Sequence, residues 1–317
     1  MTAPQSTPAT WGTPAAPVVE CLGVPITAHT RESAARHVVH LGHRIRKARQ
    51  GHTDGPDAEG VLRGSDVHLS NAYTLALADR DPELRGVLRS ACLNLPDGQS
   101  VVWANQLLHR GTSLPSTRVY GPDLLLDVFA LSRLTELSHY LLGSTPQVLD
   151  ALHRELRRRY PRARIVGMSS PPFRPLTAQE LRQKTEEIRS VAPDIVWVGL
   201  GTPKQDRWAA ELCEALPVVA VAVGAAFDFI AGTKPQAPRW MQHNGLEWLF
   251  RLGCEPRRLW RRYLFGNARF VRAVLRQATR PVHGPTGGEG AAADRLNSGR
   301  RVGQGPKIPD RIPKVRP

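Results

Sequence analysis

The sequence predicts an α/β fold in which helices flank a parallel sheet. Two short runs of apolar, β-branched residues, 195–198 and 218–223, each end at a loop that contains glycine. The first of these loops, GLGTPKQD at 199–206, leads into a predicted helix. Successive strand–loop–helix units of this kind are typical of a Rossmann-like core, in which ligands bind beyond the carboxyl ends of the strands.

The other predicted elements alternate in the same way along the chain. Apolar residues at helical spacing predict helices, and short apolar or β-branched runs predict strands. Three further strands are predicted at 66–70, 140–142 and 165–167. The predicted helices cover 31–49, 72–90, 99–109, 123–135, 147–159 and 177–190.

Composition divides the chain into four parts. Residues 1–17 are rich in Pro, Thr and Ala, and we expect them to be disordered. Residues 18–242 form the predicted α/β core, which contains a loop insertion at 51–64. Residues 243–280 are predicted to form a basic helical appendage, and 281–317, dominated by Gly, Pro and basic residues, a disordered tail.

Positive charge is concentrated towards the C-terminal end. Residues 251–317 contain 16 Lys and Arg against 4 Asp and Glu, whereas the rest of the chain contains 27 against 24. Most of the formal net charge of +15 therefore lies in the last fifth of the sequence. Such a segment favours an anionic partner: nucleic acid, phospholipid head groups or a phosphorylated substrate.

The cysteines and the apolar runs exclude several classes of protein. The four cysteines are far apart, with no Cys-X-X-Cys pair, so they predict neither a disulfide framework nor a zinc site. The first residues lack the basic and apolar regions of a signal peptide. The longest near-apolar run, 215–227, is too short to span a bilayer. We therefore expect a cytoplasmic protein that is soluble or peripheral to the membrane.

Several segments, in this order and spacing, resemble one protein family. They are Asn71 followed by LPDG at 95–98, RVYGPD at 118–123, GLGTPKQD at 199–206, VGAAFDF at 223–229, GLEWLFRL at 245–252 and EPRRLWRRY at 255–263. Together they make the chain similar to the bacterial WecG/TagA/CpsF glycosyltransferases across about residues 20–271. One position departs from the family: Leu69 stands two residues before Asn71, where the family often has Thr.

The resemblance implies a reaction. It is the inverting transfer of a sugar, such as N-acetylmannosamine, from a UDP-sugar to a polyprenyl-diphosphate-linked sugar. The transfer would take place at the cytoplasmic face of the plasma membrane, in teichoic-acid, capsule or exopolysaccharide synthesis. The resemblance implies no metal ion and no other cofactor. It does not identify the donor sugar, the acceptor sugar or the oligomeric state.

Asp97 is the candidate general base. Inverting transfer requires a carboxylate that takes the proton of the acceptor hydroxyl as the anomeric carbon is attacked. Taken alone, Pro96-Asp97-Gly98 is an ordinary turn in which the aspartate caps the helix predicted at 99. The resemblance favours the catalytic role over this structural one.

The remaining candidate residues are assigned to substrate binding. The resemblance implies no metal ion, so guanidinium groups and backbone N–H donors must meet the diphosphate charge. Gln205 is also suited to capping a helix, and Asp228 is equally suited to accepting hydrogen bonds from uracil or ribose and to being a satisfied polar group at a strand end. The residues that the resemblance implies for the nucleotide-sugar are Asn71, Arg118, Gly201, Thr202, Gln205 and Asp228.

Arginines and aromatic residues alternate in the predicted helical appendage. Residues 251–280 contain nine arginines and a single acid, Glu255. Arg251, Arg258 and Arg261 are seven and three residues apart, so one helical face can present all three. The resemblance implies that they meet the lipid diphosphate, and the composition fits docking on an anionic membrane surface. The alternative is a solvated helix whose aromatic residues pack on the core.

Three other functions compete with the transferase. A nucleic-acid-binding protein would explain the basic C-terminal segment, but no RRM, KH, helix-turn-helix or zinc signature is present. A dinucleotide oxidoreductase needs Gly-X-Gly-X-X-Gly, which the loop at 199–206 does not supply. A catalytically inactive scaffold of the same family remains the third alternative.

Overall fold

The computed structural model describes residues 16–51, 63–133, 135–174 and 176–279. The chain begins with an antiparallel hairpin of β1 (Val18–Cys21) and β2 (Val24–Thr27). The main sheet contains six parallel strands in the order β4-β3-β8-β7-β5-β6. Its strands are β3 (Ser65–Ser70), β4 (Leu93–Pro96), β5 (Ser138–Gly143), β6 (Arg164–Ser169), β7 (Ile195–Gly199) and β8 (Val219–Ala222).

The parallel α/β fold is confirmed, and all five predicted strands coincide with strands of the main sheet. The sequence prediction missed β1, β2 and β4. Each of these has only four residues, and Pro25 and Pro96 lie in β2 and β4. Because proline cannot donate a hydrogen bond to a neighbouring strand, its presence argues against a strand in a sequence pattern.

Helices cover both faces of the sheet. On one face the buried residues of four helices, α1, α5, α6 and α9, pack on the sheet, and on the other face α7 and α8 do so. The helices are α1 (Arg31–Arg49), α2 (Ala72–Ala78), α3 (Pro82–Ser90), α4 (Gln99–Leu108), α5 (Gly121–Ser132), α6 (Pro146–Arg159), α7 (Ala178–Val191), α8 (Lys204–Ala215), α9 (Ala226–Ile230), α10 (Arg239–His243), α11 (Glu247–Cys254) and α12 (Pro256–Ala278). In the described part of the chain, none of these helices has both the length and the apolar character needed to cross a bilayer.

The helix predicted at 72–90 is two helices in the structure. The side chain of Asp81 caps α3 by accepting a hydrogen bond from the Leu84 N–H at 3.0 Å, and Pro82 occupies the first turn. Both features start a new helix. The periodicity of apolar residues continues across the break, which is why the sequence pattern predicted one helix.

The predicted appendage at 243–280 is helical, but α12 packs as part of the same compact unit as the sheet. Phe270, Ala273 and Val274 are buried against α2, α4 and the N-terminal hairpin. Near the end of α12, Gln277 accepts a hydrogen bond from the Leu22 N–H at 2.9 Å. This differs from the sequence prediction of a boundary at 242/243. The nine arginines at 251–280 suggested a solvated segment, although buried residues recur along one side of α12.

Three predicted features fall largely outside the described residues. They are the disorder expected for 1–17 and 281–317 and the loop insertion expected at 51–64.

A buried charge cluster links the sheet to α8. His68 on β3 is fully buried, and its Nδ1 lies 3.0 Å from Asp206 Oδ1 while its Nε2 lies 2.9 Å from Asp66 Oδ2. Burial acts to lower the pKa of His68, but the hydrogen bonds to Asp206 and Asp66 outweigh it and raise the pKa to about 9. Both ring nitrogens therefore carry protons, and the imidazolium connects β3 to the first turn of α8.

The charge cluster predicts that stability falls in mildly alkaline solution. The pKa of His68 is raised above that of an unfolded histidine, about 6.5. Its contribution to the free energy of unfolding is therefore complete below pH 6.5 and is lost as the pH rises through about 9. We expect this contribution to be on the order of 3 kcal/mol. The measurement is urea unfolding, followed by circular dichroism, between pH 6 and pH 10.

His68→Gln should lower stability at pH 6.5 and abolish most of the decline between pH 6.5 and pH 9. His153→Gln on α6 is the matched control and should retain the wild-type pH dependence, because no carboxylate partner holds His153 in the described structure. A wild-type unfolding midpoint that is constant from pH 6.5 to pH 9 would contradict the charged state of His68.

Candidate active site

Asp97 and Asn71 lie side by side at the carboxyl edge of the sheet. Asp97 directly follows β4 and Asn71 directly follows β3. The last residues of these two strands, Pro96 and Ser70, are partners in the parallel register. The Asp97 N–H donates to the Ser70 carbonyl at 3.0 Å, which aligns the two turns. Parallel pairing therefore brings together two side chains that are 26 positions apart in the sequence.

The backbone around these two residues directs their side chains. Asn71 is the N-cap of α2, and its Oδ1 accepts hydrogen bonds from the N–H groups of Tyr73 and Thr74, both at 3.1 Å. Its amide nitrogen is left to donate to Asp97. Gly98, with φ of 118°, is the N-cap of α4, which has no side-chain cap. The alternative in which Asp97 caps this helix is therefore wrong.

Asp97 opens into a cavity of about 310 Å³ between the sheet edge and the C-terminal helices. Of the residues predicted for the site, Asn71, Asp97, Arg118 and Arg251 line this cavity. The other lining residues are Ala72, Tyr73, Gly98, Gln99, Ser100, Trp103, Gly245, Glu247, Trp248, Arg262, Tyr263, Asn267, Phe270 and Val271. In the part of the chain that the structure describes, no group of three or more His, Cys, Asp or Glu side chains is arranged to hold a metal ion.

The environment of Asp97 makes it more basic than an ordinary aspartate. Burial is the largest influence and raises its pKa, and the carboxylate of Glu247 raises it further. The charges of Arg118 and Arg251 and the hydrogen bond from Asn71 act in the opposite direction. The net result is a pKa of about 6 for Asp97. Carboxylates with such pKa values are suited to general base catalysis near neutral pH.

Arg118 is held rigidly at the side of the cavity. Its Nη1 lies 2.6 Å from Glu247 Oε2, and its Nη2 donates to Gln242 Oε1 at 3.0 Å. The guanidinium carbon lies 4.2 Å from the centre of the Tyr120 ring, and the Tyr120 hydroxyl donates to Glu247 at 3.2 Å. Glu247 was not among the predicted site residues, although it lies in one of the segments that carry the family resemblance.

Gln205 joins the loops that follow β7 and β8. Its side chain is buried, and its Oε1 accepts hydrogen bonds from the N–H groups of Gly201 at 2.9 Å and Gly224 at 3.0 Å. Gly201 has a positive φ of 78°, and the Thr202–Pro203 peptide bond is cis. Gly201, Thr202 and Gln205 lie at the same edge of the sheet as Asp97, but they do not line the 310 Å³ cavity.

Asp228 lies in α9, after β8, and likewise does not line that cavity. One of its carboxylate oxygens is 3.5 Å from the Lys234 ammonium group. Lys234 is also 3.5 Å from Glu255, so a single lysine connects α9 to the junction of α11 and α12.

The three arginines predicted on one helical face are separated in the structure. Glu255, with φ of −134° and ψ of 60°, ends α11, so Arg251 is on a different helix from Arg258 and Arg261. Only Arg251 lines the cavity. Arg258 pairs with Glu255 at 2.9 Å, and Arg261 lies over the Trp260 ring at 5.1 Å. The prediction of a shared face is wrong, because the helix break changes the direction of every later side chain.

The neighbour of Arg261, Arg262, lines the cavity instead. Its guanidinium carbon lies 4.2 Å from the centre of the Tyr73 ring. Arg262 was not among the predicted site residues. The buried residues of α12, among them Leu259, Tyr263 and Phe270, would have indicated which side of the helix faces the protein.

Two substitutions should move the pKa of Asp97 in opposite directions. Glu247→Gln removes a negative charge and should lower the pKa of Asp97 below its value of about 6. Arg251→Gln removes a positive charge and should raise it. The measurement is a ¹³C NMR titration of the aspartate carboxyl groups, in which Asp97→Asn identifies the resonance. Glu180→Gln on α7 is the control, and a pKa that is unchanged in both cavity variants would contradict this description.

A comparison with protein families matches residues 19–284 to the glycosyl transferase WecG/TagA/CpsF family. The match takes in the sheet, both residues at its carboxyl edge and the helices that form the opposite wall of the cavity. It covers most of the chain and confirms the resemblance found in the sequence. The protein therefore belongs to the WecG/TagA/CpsF family of glycosyltransferases.

Proposed function

We propose that this glycosyltransferase moves a sugar, such as N-acetylmannosamine, from a UDP-sugar to a polyprenyl-diphosphate-linked sugar with inversion. The product would enter a cell-surface polysaccharide or a teichoic-acid-type polymer. The observation that carries the proposal is the position of Asp97 in a cavity that Arg118, Arg251 and Arg262 also line, where burial raises its pKa to about 6. Family membership supports sugar transfer, and the two substrates are the proposed part.

In this mechanism Asp97 acts on the acceptor. Its carboxylate accepts the proton of the acceptor hydroxyl while that oxygen forms a bond to the anomeric carbon of the donor. The bond from the anomeric carbon to the diphosphate breaks, and its electron pair leaves with the diphosphate. Attack from the face opposite the leaving group inverts the configuration. A base with a pKa slightly below the working pH is mostly ionised yet still accepts a proton readily.

The leaving diphosphate needs positive charge. Arg251 and Arg118 lie close enough to Asp97 to influence its pKa, and guanidinium groups match phosphate oxygens in geometry. We therefore propose that arginine side chains and backbone N–H groups stabilise the diphosphate without a metal ion. In this proposal the nucleotide lies over the joined loops that contain Gly201, Thr202 and Gln205, with Asp228 nearby.

The outer face of α12 supports docking on an anionic membrane at the inner side of the plasma membrane. Trp260, Leu264, Val271 and Leu275 are all exposed. At 100° per residue they fall within an arc of about 60° on the helix. Exposed arginines, including Arg261, border this arc. An exposed apolar stripe beside a basic stripe is typical of helices that lie on a membrane surface, where a lipid-linked acceptor would be found.

Asp97→Asn tests the proposed chemistry. The substitution keeps the size of the side chain but removes the proton acceptor, so turnover should fall by about 10²-fold or more. The assay uses a panel of UDP-sugars, a short-chain lipid-diphosphate acceptor and EDTA. UDP affinity, measured by calorimetry, and the melting temperature should change little. Near-wild-type turnover in this variant would contradict the role of Asp97.

The wild-type protein in the same assay tests the other parts of the proposal. Absence of transfer with every donor would favour an inactive member of the family. Activity that appears only when EDTA is replaced by Mn²⁺ or Mg²⁺ would contradict metal-independent transfer.

Leu264→Glu tests membrane docking. A carboxylate in the middle of the apolar stripe on α12 should weaken binding to vesicles rich in anionic phospholipid by about fivefold or more, because it opposes both insertion and charge attraction. Sedimentation with vesicles measures the bound fraction. Val191→Glu, at the end of α7, is the matched control and should bind like the wild type. Equal binding by both variants would contradict this surface.

A further inference from the structure

One arginine in the cavity has no anion to balance its charge. Arg262 lies on α12, with its guanidinium carbon 4.2 Å from the centre of the Tyr73 ring and 6.0 Å from that of Tyr263. Its Nε is shielded from solvent and has no hydrogen-bond partner. Among the described residues, no carboxylate forms an ion pair with it.

The other arginines of α12 are exposed, and two of them form ion pairs. Arg118 pairs with Glu247, Arg258 with Glu255 and Arg276 with Asp79. Arg262 lies deeper than the last two of these. Burial and the nearby positive charge of Arg251 lower the pKa of Arg262, which reflects the cost of a cation with no counter-charge. A buried cation is retained in a folded protein when a partner offsets the cost of its desolvation.

Arg251 is a second cation in the same cavity without a carboxylate partner in the described structure. Its guanidinium carbon lies 5.4 Å from the centre of the Phe229 ring. Arg251 and Arg262 line the cavity from two successive helices, α11 and α12. Besides burial, the positive charge of Arg251 lowers the pKa of Arg262. Three arginines and two carboxylates, Asp97 and Glu247, line this cavity, so it has an excess of positive charge that an anionic ligand can balance.

We propose that Arg262, together with Arg251, binds a diphosphate group in this cavity. Two guanidinium groups on separate helices suit a ligand that carries two linked phosphates, because each planar fork can engage one of them. The rings of Tyr73 and Tyr263 hold the Arg262 guanidinium in place, and the amide of Asn267 on the same wall adds a polar group. The proposed function supplies two sources for this diphosphate, the nucleotide-sugar and the lipid-linked acceptor.

This assignment differs from the one that the family resemblance implied. Arg258 and Arg261 do not line the cavity, and Arg258 already has a carboxylate partner. In the structure, Arg262 is the arginine of α12 that lines the cavity. Only the choice between the two sources rests on the proposed function, whereas diphosphate binding itself can be tested without any transfer reaction.

The test compares two arginines on one helix. Arg262→Gln and Arg269→Gln remove the same charge from α12, but Arg269 is exposed and does not line the cavity. Titration of the full-length protein with inorganic diphosphate, measured by calorimetry, should show affinity at least about tenfold weaker for Arg262→Gln. Arg269→Gln should bind like the wild type, and Arg262→Lys should fall between the two, because it keeps the charge but loses the fork.

Circular dichroism and thermal melting report whether each variant is folded. If Arg262→Gln does not fold, Arg262→Lys is compared with the wild type in its place. Equal diphosphate affinity in the wild type and the folded variant would overturn the proposal, as would equal losses in the variants at 262 and 269.

Two further measurements distinguish the sources of the diphosphate. Weaker binding of UDP by Arg262→Gln would support the proposal and assign the site to the nucleotide-sugar. Unchanged UDP binding with a raised KM for the lipid-diphosphate acceptor would support it and assign the site to the acceptor. Failure of the wild type to transfer any sugar would contradict the proposed function, while the titration with inorganic diphosphate would still decide whether Arg262 binds anions.

Discussion

The arrangement of the site depends on the buried imidazolium of His68. It is held between two carboxylates, one on its own strand and the other, Asp206, on α8. Asn71 lies three residues after His68, and Gln205 directly precedes Asp206. The charge cluster therefore sets the distance between two parts of the site. One is the turn after β3, which contains Asn71, and the other is the loop after β7, which Gln205 holds. An apolar contact in the same place could slide, whereas two charge-assisted hydrogen bonds define one position.

The helix α12 has three roles at once. One side packs on α2, α4 and the N-terminal hairpin, one edge forms a wall of the cavity, and the remaining side is exposed, with an apolar stripe bordered by arginines. Because the same helix completes both the core and the cavity, the cavity wall cannot be removed without disrupting the core. Removing the chain after Phe250 would expose the buried surface of the hairpin as well as open the site. The basic segment is therefore part of the folded unit.

Asn71 and Asp97 could be predicted because they directly follow strands, whereas Arg118 and Arg251 were predicted from the family resemblance. Asp97, Arg118 and Arg251 come from segments far apart in the chain, and the structure brings all three to one cavity. The sequence could not show whether Arg261 or Arg262 faces the cavity. Consecutive side chains on a helix point about 100° apart, and the helix break at Glu255 changes the direction from which α12 starts. Glu247 was missed because its importance arises only from its contact with Arg118.

The carboxamide oxygen of Gln205 has a consequence for motion at the site. One oxygen accepts from the backbone of both Gly201 and Gly224, so the loops after β7 and β8 share a single acceptor. If either loop shifts alone, a part-buried N–H group loses its hydrogen bond, at a cost of about 1 kcal/mol. The two loops are therefore coupled through one side chain, and displacement of either loop is expected to displace the other.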